Sequence, residues 1–306
     1  MLIRFWGVRG SIPCPGPDTM RYGGNTTCFE LRFADSKKLV IIDAGSGIRP
    51  LADKLMRSDF PKGPIDADIF ISHTHWDHIM GFPFFTPIYI KTSYLRIHGP
   101  VSFEDEPLEK VIGGQLRYRY FPVRQEELSA RIEYQELKET RLDLGDGITI
   151  TTKYLNHPIL CLGYRFEQGG KVFCTCYDTE PFRNMFPTDP KDPDYDPAVA
   201  AEGEAAAAEE NQKYLDFIQG ADVVVHDTQY TLEEYKKNKI GWGHSTFEHA
   251  VNAAHKAAVK KLVFFHHDPL RTDDQLDQLL VKYRGMMAGK TSLEVDVARE
   301  GMEIEL

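Results

Sequence analysis

The sequence has little cysteine and no long apolar run. Five cysteines in 306 residues are an odd number spread over a long chain, which excludes a disulfide framework. Paired C-x-x-C blocks, typical of a structural zinc module, are also absent. No stretch approaches the roughly 18 consecutive apolar residues of a membrane-spanning helix. We therefore expect no membrane partner, and we expect most of the cysteines to be small buried hydrophobic residues.

Positive charge is also in short supply. The chain has 36 lysines and arginines against 46 aspartates and glutamates, a net charge of -10. Long-range electrostatics of this sign oppose the binding of a polyanion, so RNA or DNA is not an expected partner. A small anionic substrate held by metal ions is compatible with it. The opening MLIRFWGVRG lacks the charged and apolar regions of a secretory signal, which predicts a cytoplasmic protein.

Short apolar strands alternate with amphipathic segments, which predicts an α/β fold. Strands are predicted at 2–8, 26–33, 38–45, 67–75, 94–100, 130–137, 148–158, 161–178 (a hairpin), 221–228 and 261–269. Helices are predicted at 48–57, 103–116, 198–219, 245–258 and 271–287.

The chain shows no internal repeat and no flexible linker, so we expect a single domain over 1–306. Residues 181–212 interrupt the alternation with a Pro/Asp-rich and then an Ala/Glu-rich stretch. We interpret this stretch as an acidic surface insertion. This organisation is compatible with a homodimer.

The strongest chemical signal is the motif HTHWDH, which places His73, His75, Asp77 and His78 within six residues at the end of an apolar strand. Side chains two apart in such a loop can converge on one ion, while the next carboxylate and imidazole turn toward another. Imidazole and carboxylate suit zinc, and also manganese or iron. The alternative is a solvated loop in which Asp77 caps a helix.

More imidazole and carboxylate groups follow the later strands. These candidates are His157, Asp178, His226, Asp227, His244, His266 and His267. Because the carboxyl ends of neighbouring strands lie along one edge of a sheet, we expect many of these groups to meet there. That coincidence favours a metal site over an accidental cluster.

The series HTHWDH, a lone His, a lone Asp and a late strand ending in His resembles the metallo-β-lactamase superfamily. The resemblance implies a four-layer αββα fold with a dinuclear metal centre. It places His73, His75 and His157 on the first metal, Asp77, His78 and a C-terminal histidine on the second, and Asp178 between both. A gap-free alignment makes the C-terminal ligand His266 rather than His267.

Two branches of that superfamily are similar to this sequence. VVVHDTQY, GHST and LVFFHHDP resemble motifs of the tRNA 3′-processing nucleases, although Asp227 stands where that branch has glutamate. The opening GVRGSIPCPGPDTMRYGGNTTC resembles bacterial and phage cyclic-nucleotide phosphodiesterases, including the anti-Pycsar type. The basic tRNA-gripping arm of the nucleases has no counterpart here.

These features predict a phosphodiesterase that binds two divalent metal ions. Zn²⁺ is the expected metal, and Mn²⁺ and Fe²⁺ are the alternatives. Two such ions can hold a hydroxide that attacks a phosphoryl group. We expect a 3′,5′-cyclic nucleotide as substrate, with Asp77 and His244 as catalytic groups and His244 as the general acid. The alternatives are a tRNase Z-like endoribonuclease, a carbonyl hydrolase of the lactonase or β-lactamase type, and a metal-stabilised binding protein without activity.

Five further residues have weaker assignments. Asp43 could orient a metal-binding histidine or cap the following helix. Arg9 and Ser11 could approach a substrate. Tyr118 and Tyr120 could stack on a base, although a solvated amphipathic strand explains them as well.

Overall fold

The computed structural model describes residues 1–101 and 106–306. In this part of the chain the strands are β1 (Leu2–Gly7), β2 (Cys28–Arg32), β3 (Leu39–Ile42), β4 (Asp66–Phe70), β5 (Tyr94–Pro100), β6 (Arg131–Leu137), β7 (Arg141–Gly145), β8 (Ile148–Leu155), β9 (Cys161–Gln168), β10 (Lys171–Cys176), β11 (Val223–Asp227), β12 (Lys261–Phe265), β13 (Glu294–Val297) and β14 (Glu303–Glu305). The α-helices are α1 (Ile48–Ser58), α2 (Trp76–Ile79), α3 (Leu108–Gly113), α4 (Pro197–Ile218), α5 (Leu232–Asn238), α6 (Phe247–Lys256) and α7 (Asp273–Met287).

The strands form two seven-stranded sheets. The first has the order β14-β1-β2-β3-β4-β5-β6, and the second has the order β13-β12-β11-β10-β9-β8-β7. In each sheet, three antiparallel pairings on one side are followed by three parallel pairings on the other. The two sheets are therefore built alike, and each has a group of parallel strands whose carboxyl ends share one edge.

Both faces of the central strands are covered because successive side chains point to opposite sides. Phe70 and Phe265 point into the core between the sheets. Their neighbours Ile69 and Phe264 point outward, the first toward the α1 and α3 side and the second toward α4, α6 and α7. Strands buried on both faces are continuously apolar, as in KLVFF. The predicted four-layer αββα fold is confirmed.

Five elements have no counterpart among the predicted segments: β7, β13, β14, α2 and α5. β7 lies at a sheet edge and alternates exposed with half-buried residues, so it lacks the apolar run that marks a central strand. The helix predicted at 103–116 is shorter, because α3 spans only Leu108–Gly113. Residues 103–105 of that prediction lie outside the described residues.

Within 181–212, the predicted acidic insertion, Gly203 is the only buried residue. α4 begins inside this segment, and the Asp196 side chain caps it by accepting from the backbone N–H groups of residues 198 and 199. The far end of the helix packs on the second sheet through Tyr214, Phe217 and Ile218. α4 is therefore a surface segment at its start and part of the outer helical layer at its end. In the described residues, no helix is both long and apolar enough to cross a membrane.

A buried ion pair joins β4 to β5. Arg96 donates two hydrogen bonds to Asp68 at 2.8 Å, and His98 Nε2 lies 2.9 Å from the same carboxylate. Burial by itself would raise the pKa of Asp68, but Arg96 and His98 lower it to about 2. Because this pKa is lower than in the unfolded chain, the ionised carboxylate stabilises the fold above about pH 4, and that contribution is lost as the pH falls toward 2.

We predict that Asp68→Asn lowers the free energy of unfolding by about 2 kcal/mol near neutral pH, and that this difference shrinks by about 1 kcal/mol near pH 3. Urea unfolding at both pH values measures it. Asp66→Asn is the matched control, since Asp66 pairs with the same Arg96 but is 63% exposed, and we expect it to cost under about 0.5 kcal/mol. A pH-independent cost for Asp68→Asn would contradict the assignment.

Candidate metal centre

The seven candidate ligands predicted from the sequence come together where strands of both sheets end. The HTHWDH motif runs from the loop after β4 into the short helix α2. His157 follows β8, Asp178 follows β10 and His266 follows β12. The first sheet therefore supplies four of these side chains and the second sheet supplies three.

A first group consists of His73, His75, His157 and Asp178. His75 Nδ1 lies 3.0 Å from both His73 Nε2 and His157 Nε2. The Asp178 Oδ2 atom lies 3.4 Å from His73 Nε2 and 3.8 Å from His157 Nε2. Burial lowers the pKa of His157 to about 4, which keeps this imidazole neutral and able to bind a cation.

A second group consists of Asp77, His78, Asp178 and His266. The Asp178 Oδ1 atom lies 3.2 Å from His78 Nε2 and 3.1 Å from His266 Nε2. Asp77 Oδ2 lies 3.3 Å and 3.1 Å from the same two nitrogens. Ligand atoms about 3.3 Å apart are what a tetrahedral zinc ion with bonds of about 2.0–2.1 Å requires.

Unpartnered atoms show that the second group fits a cation. His78 Nε2 and Asp178 Oδ1 are buried without a hydrogen-bond partner among the described residues. Burial alone would raise the pKa of Asp178, but the neighbouring histidines, His266 and His78 first, hold it well below its usual range. A buried, ionised carboxylate that faces imidazole nitrogens on both sides is the arrangement expected of a shared metal ligand.

The backbone at the site is strained. Seven non-glycine residues have a positive φ in the described part of the chain, and four of them are Ser11, Asp43, Asp178 and His266. A left-handed conformation costs of order 1 kcal/mol for such residues. It turns the chain sharply after a strand, and in Asp178 and His266 this turn directs the side chain toward the other ligands.

Asp43 and Ser72 orient the histidines of the motif. His78 Nδ1 lies 2.7 Å from Asp43 Oδ2, which leaves Nε2 for a metal. Asp43 also accepts hydrogen bonds from the backbone N–H and the hydroxyl of Ser72 at 2.7 and 2.8 Å. The Ser72 hydroxyl lies 3.1 Å from His73 Nδ1. Of the two roles considered for Asp43, the structure shows the orienting one.

Histidines from the second sheet are held in the same way. His157 Nδ1 donates to the backbone carbonyl of Gly243 at 2.9 Å, and His266 Nδ1 lies 3.1 Å from Gln229 Oε1. Gly10 lies directly against the His266 ring, where a Cβ would be 2.4 Å from Nδ1. Gln229 and Gly10 were not predicted from the sequence. For Gln229 the one available signal was its position two residues after Asp227, and Gly10 had no such signal.

Of the two N-terminal residues Ser11 and Arg9, Ser11 contacts a candidate ligand and Arg9 does not. The Ser11 backbone N–H donates to Asp77 Oδ2 at 2.7 Å, so this loop orients a candidate ligand. The expectation that Arg9 approaches a substrate is wrong. Its side chain is fully buried and donates to the carbonyls of Gly23 and Arg271 at 2.8 and 2.6 Å.

His244 and Asp227 form a pair beside the two ligand groups. His244 Nδ1 lies 2.8 Å from Asp227 Oδ2, and its ring stacks on His266 with centroids 5.0 Å apart. Burial alone would lower the pKa of His244, but Asp227 raises it to about 9. Asp227 therefore stabilises the protonated form of His244, the form that a proton donor requires. These two residues also form a third possible ligand group with Asp178 and His266.

Two other predicted candidates lie elsewhere. His267 Nε2 lies 2.9 Å from the backbone carbonyl of Ala298, so His266 and not His267 faces the site. His226 Nδ1 lies 2.6 Å from the carbonyl of Asp227, and its ring packs against Tyr214.

Tyr118 and Tyr120 are 56% and 74% exposed. Arg124 covers the Tyr118 ring at 4.2 Å from its centroid. Neither tyrosine is among the described residues that line the two cavities beside the centre. The solvated alternative therefore fits these two residues better than base stacking does.

The sequence profile of the Metallo-beta-lactamase superfamily matches residues 21–174, half of the chain. The chain belongs to the metallo-β-lactamase superfamily. The matched range includes the HTHWDH motif and His157 and ends before Asp178. Metallo-β-lactamase folds bind divalent metal ions at such ligand groups, and this chain is a metal-dependent hydrolase, as predicted.

The relatives confirm the resemblance to the nuclease and phosphodiesterase branch. Ribonuclease Z of Lactococcus lactis subsp. lactis (strain IL1403) is 28% identical over 273 residues, which cover 79% of this chain and 83% of the relative. The metallo-beta-lactamase fold protein YhfI of Bacillus subtilis has a TM-score of 0.65 at 17% identity, and the short form of human tRNase Z (ELAC1) has 0.60 at 19%. Each alignment covers 100% of this chain and 99% of the other, and at these identities it shows the fold.

We predict that Asp178→Asn removes more metal than the substitution of any single candidate histidine, because the carboxylate faces both ligand groups. Elemental analysis after reconstitution and dialysis measures this, and we expect about two ions per chain in the wild type. His255→Ala is the control, since His255 is exposed and Thr291 is the one described hydrogen-bond partner of its side chain. Equal metal content in Asp178→Asn and the control would contradict the shared ligand.

Proposed function

We propose that this hydrolase is a phosphodiesterase that opens a 3′,5′-cyclic nucleotide to a nucleoside monophosphate. It would use two divalent metal ions, and Zn²⁺ is the metal we favour. The observation that carries the proposal is the placement of the His244–Asp227 pair against two ligand groups that share Asp178. Hydrolysis of a phosphodiester needs charge neutralisation at the phosphoryl oxygens and a proton for the leaving oxygen. The two parts of this site match those two needs.

The metal ions would supply neutralisation of the phosphoryl charge and activation of the attacking water. His73, His75, His157 and Asp178 would hold one of them, and Asp77, His78, His266 and Asp178 would hold the other. The expected catalytic role of Asp77 is therefore that of a ligand, with its carboxylate fixed by the N–H of Ser11.

His244 is the proton donor in this proposal. Its Nδ1–H is held by Asp227, so Nε2 is the atom that can reach the leaving oxygen. The imidazolium is stabilised by the Asp227 carboxylate, and Asp227 is itself fixed by the backbone N–H groups of Gln229 and Thr179 at 3.0 and 3.3 Å. Asp227 can therefore take the part that glutamate has in the nuclease branch.

The net charge of -10 supports a small substrate over a large one. Transfer RNA binding requires several phosphates to be neutralised by basic side chains, whereas a cyclic mononucleotide carries one phosphodiester, which the two ions neutralise by themselves. The second candidate is tRNA 3′-end processing, which the likeness to Ribonuclease Z and to human tRNase Z favours.

We predict that His244→Ala lowers kcat for a substrate with a poor alkoxide leaving group by about 10²–10⁴-fold, while both metal ions are retained. The loss should nearly vanish with a 4-nitrophenyl phosphodiester, whose leaving group needs no proton. His255→Ala serves again as the exposed control. Full activity of His244→Ala on the poor leaving group would show that His244 is not the acid.

The substrate is tested by comparing kcat/KM for several 3′,5′-cyclic nucleotides with that for a precursor tRNA, in the same metal and salt. We expect ring opening of at least one cyclic nucleotide and negligible trimming of the tRNA. Efficient trimming without ring opening would establish the nuclease alternative. A chromogenic β-lactam in the same assay tests for carbonyl hydrolysis, and activity toward it alone would overturn the proposal.

A further inference from the structure

Beside His75 there is a cavity of about 480 Å³ that the proposed reaction has not yet used. Leu108 and Val111 of α3 form one wall, and Ile159 and Leu160, which precede β9, form another. Cavities of a few hundred Å³ with mainly apolar walls are typical of sites for small organic groups. Because this one borders a candidate metal ligand, a group bound in it would be close to the scissile phosphate.

The charges around this cavity are unusual for a phosphate-binding enzyme. Among the described residues that line it there is no lysine or arginine, and Glu106 is the only carboxylate. A second cavity of about 240 Å³ on the far side of His157 is lined by both Arg183 and Glu180, whose side chains form an ion pair at 3.7 Å. Pro158 borders both cavities and separates them. One side of the metal centre therefore presents a carboxylate to a substrate, and the other presents an ion pair.

We infer that the cavity beside His75 holds the nucleobase of the substrate and that Glu106 excludes bases or substituents with a second negative charge. The inference rests on the proposed phosphodiesterase function and names the part of the substrate that this side recognises. An uncharged, planar base can bury its faces against the apolar walls without needing a counterion. A second phosphate or carboxylate would lose its hydration there and face a carboxylate of like charge.

The assignment also explains why a base would bind in the cavity rather than on the exposed rings of Tyr118 and Tyr120. Stacking on those rings would leave a base in solvent, whereas the cavity offers apolar walls to its faces. The apolar side chains of α3 therefore take the part that the sequence suggested for the two tyrosines.

Binding of nucleosides tests the inference without relying on hydrolysis. Uridine and 5-carboxyuridine carry no phosphodiester and differ by one carboxylate, and their Kd values for the metal-loaded protein can be measured by calorimetry or ligand-observed NMR. We expect the wild type to favour uridine by about tenfold, and Glu106→Gln to remove most of that ratio. An unchanged ratio in Glu106→Gln would overturn the role of Glu106.

The cavity itself is tested by filling it. Val111→Phe should weaken uridine binding by about tenfold or more, because the larger side chain occupies the space of the base. Lys110→Phe is the matched control, since Lys110 is an exposed neighbour on the same helix and does not line the cavity. Unaltered uridine binding in Val111→Phe, or absence of binding in the wild type, would overturn the cavity assignment.

Turnover separates this inference from the proposed function. If nucleosides bind as expected but no cyclic nucleotide is opened, the phosphodiesterase proposal is wrong and the cavity still holds a base. If cyclic nucleotides are opened but Val111→Phe leaves their KM unchanged, the function is correct and the base lies elsewhere.

Discussion

The carboxylate of Asp178 is the interaction on which the rest of the site depends. One of its oxygens faces the histidines of the first group, and the other faces His78 and His266. A carboxylate buried between two clusters is stable in its ionised form only if positive charge or metal ions lie on both sides. This requirement explains why six other ligand candidates converge around it and why the chain there adopts a left-handed conformation.

The residues that orient the candidate ligands are placed as specifically as the ligands themselves. Asp43, Gln229 and the Gly243 carbonyl each fix the nitrogen of one histidine that points away from the centre. Each contact decides which nitrogen is left for a metal ion, and it restricts the rotation of the ring. The site is therefore preorganised by polar contacts that cross between strands and loops far apart in the chain.

Much of this arrangement could be predicted from the sequence because the informative residues are local. HTHWDH supplies four candidates in six positions, and apolar strands such as KLVFF end where a ligand begins. The contacts of Ser11, Gln229 and Gly10 with the candidate ligands were not predicted, since their partners lie 66, 37 and 256 positions away in the chain. Three of the four edge strands, β7, β13 and β14, were missed for a related reason: their partly exposed pattern depends on a neighbour that the local sequence does not show.

The positions of the ligands along the chain have a consequence for the order in which the two ligand groups are synthesised. His73, His75, His157 and Asp178 all precede β11 in the chain, although the Gly243 carbonyl that orients His157 follows it. The second group needs His266, which follows β12. The ligand set of one position is therefore synthesised in full before that of the other, which is complete only once β12 and the His266 that follows it have been added.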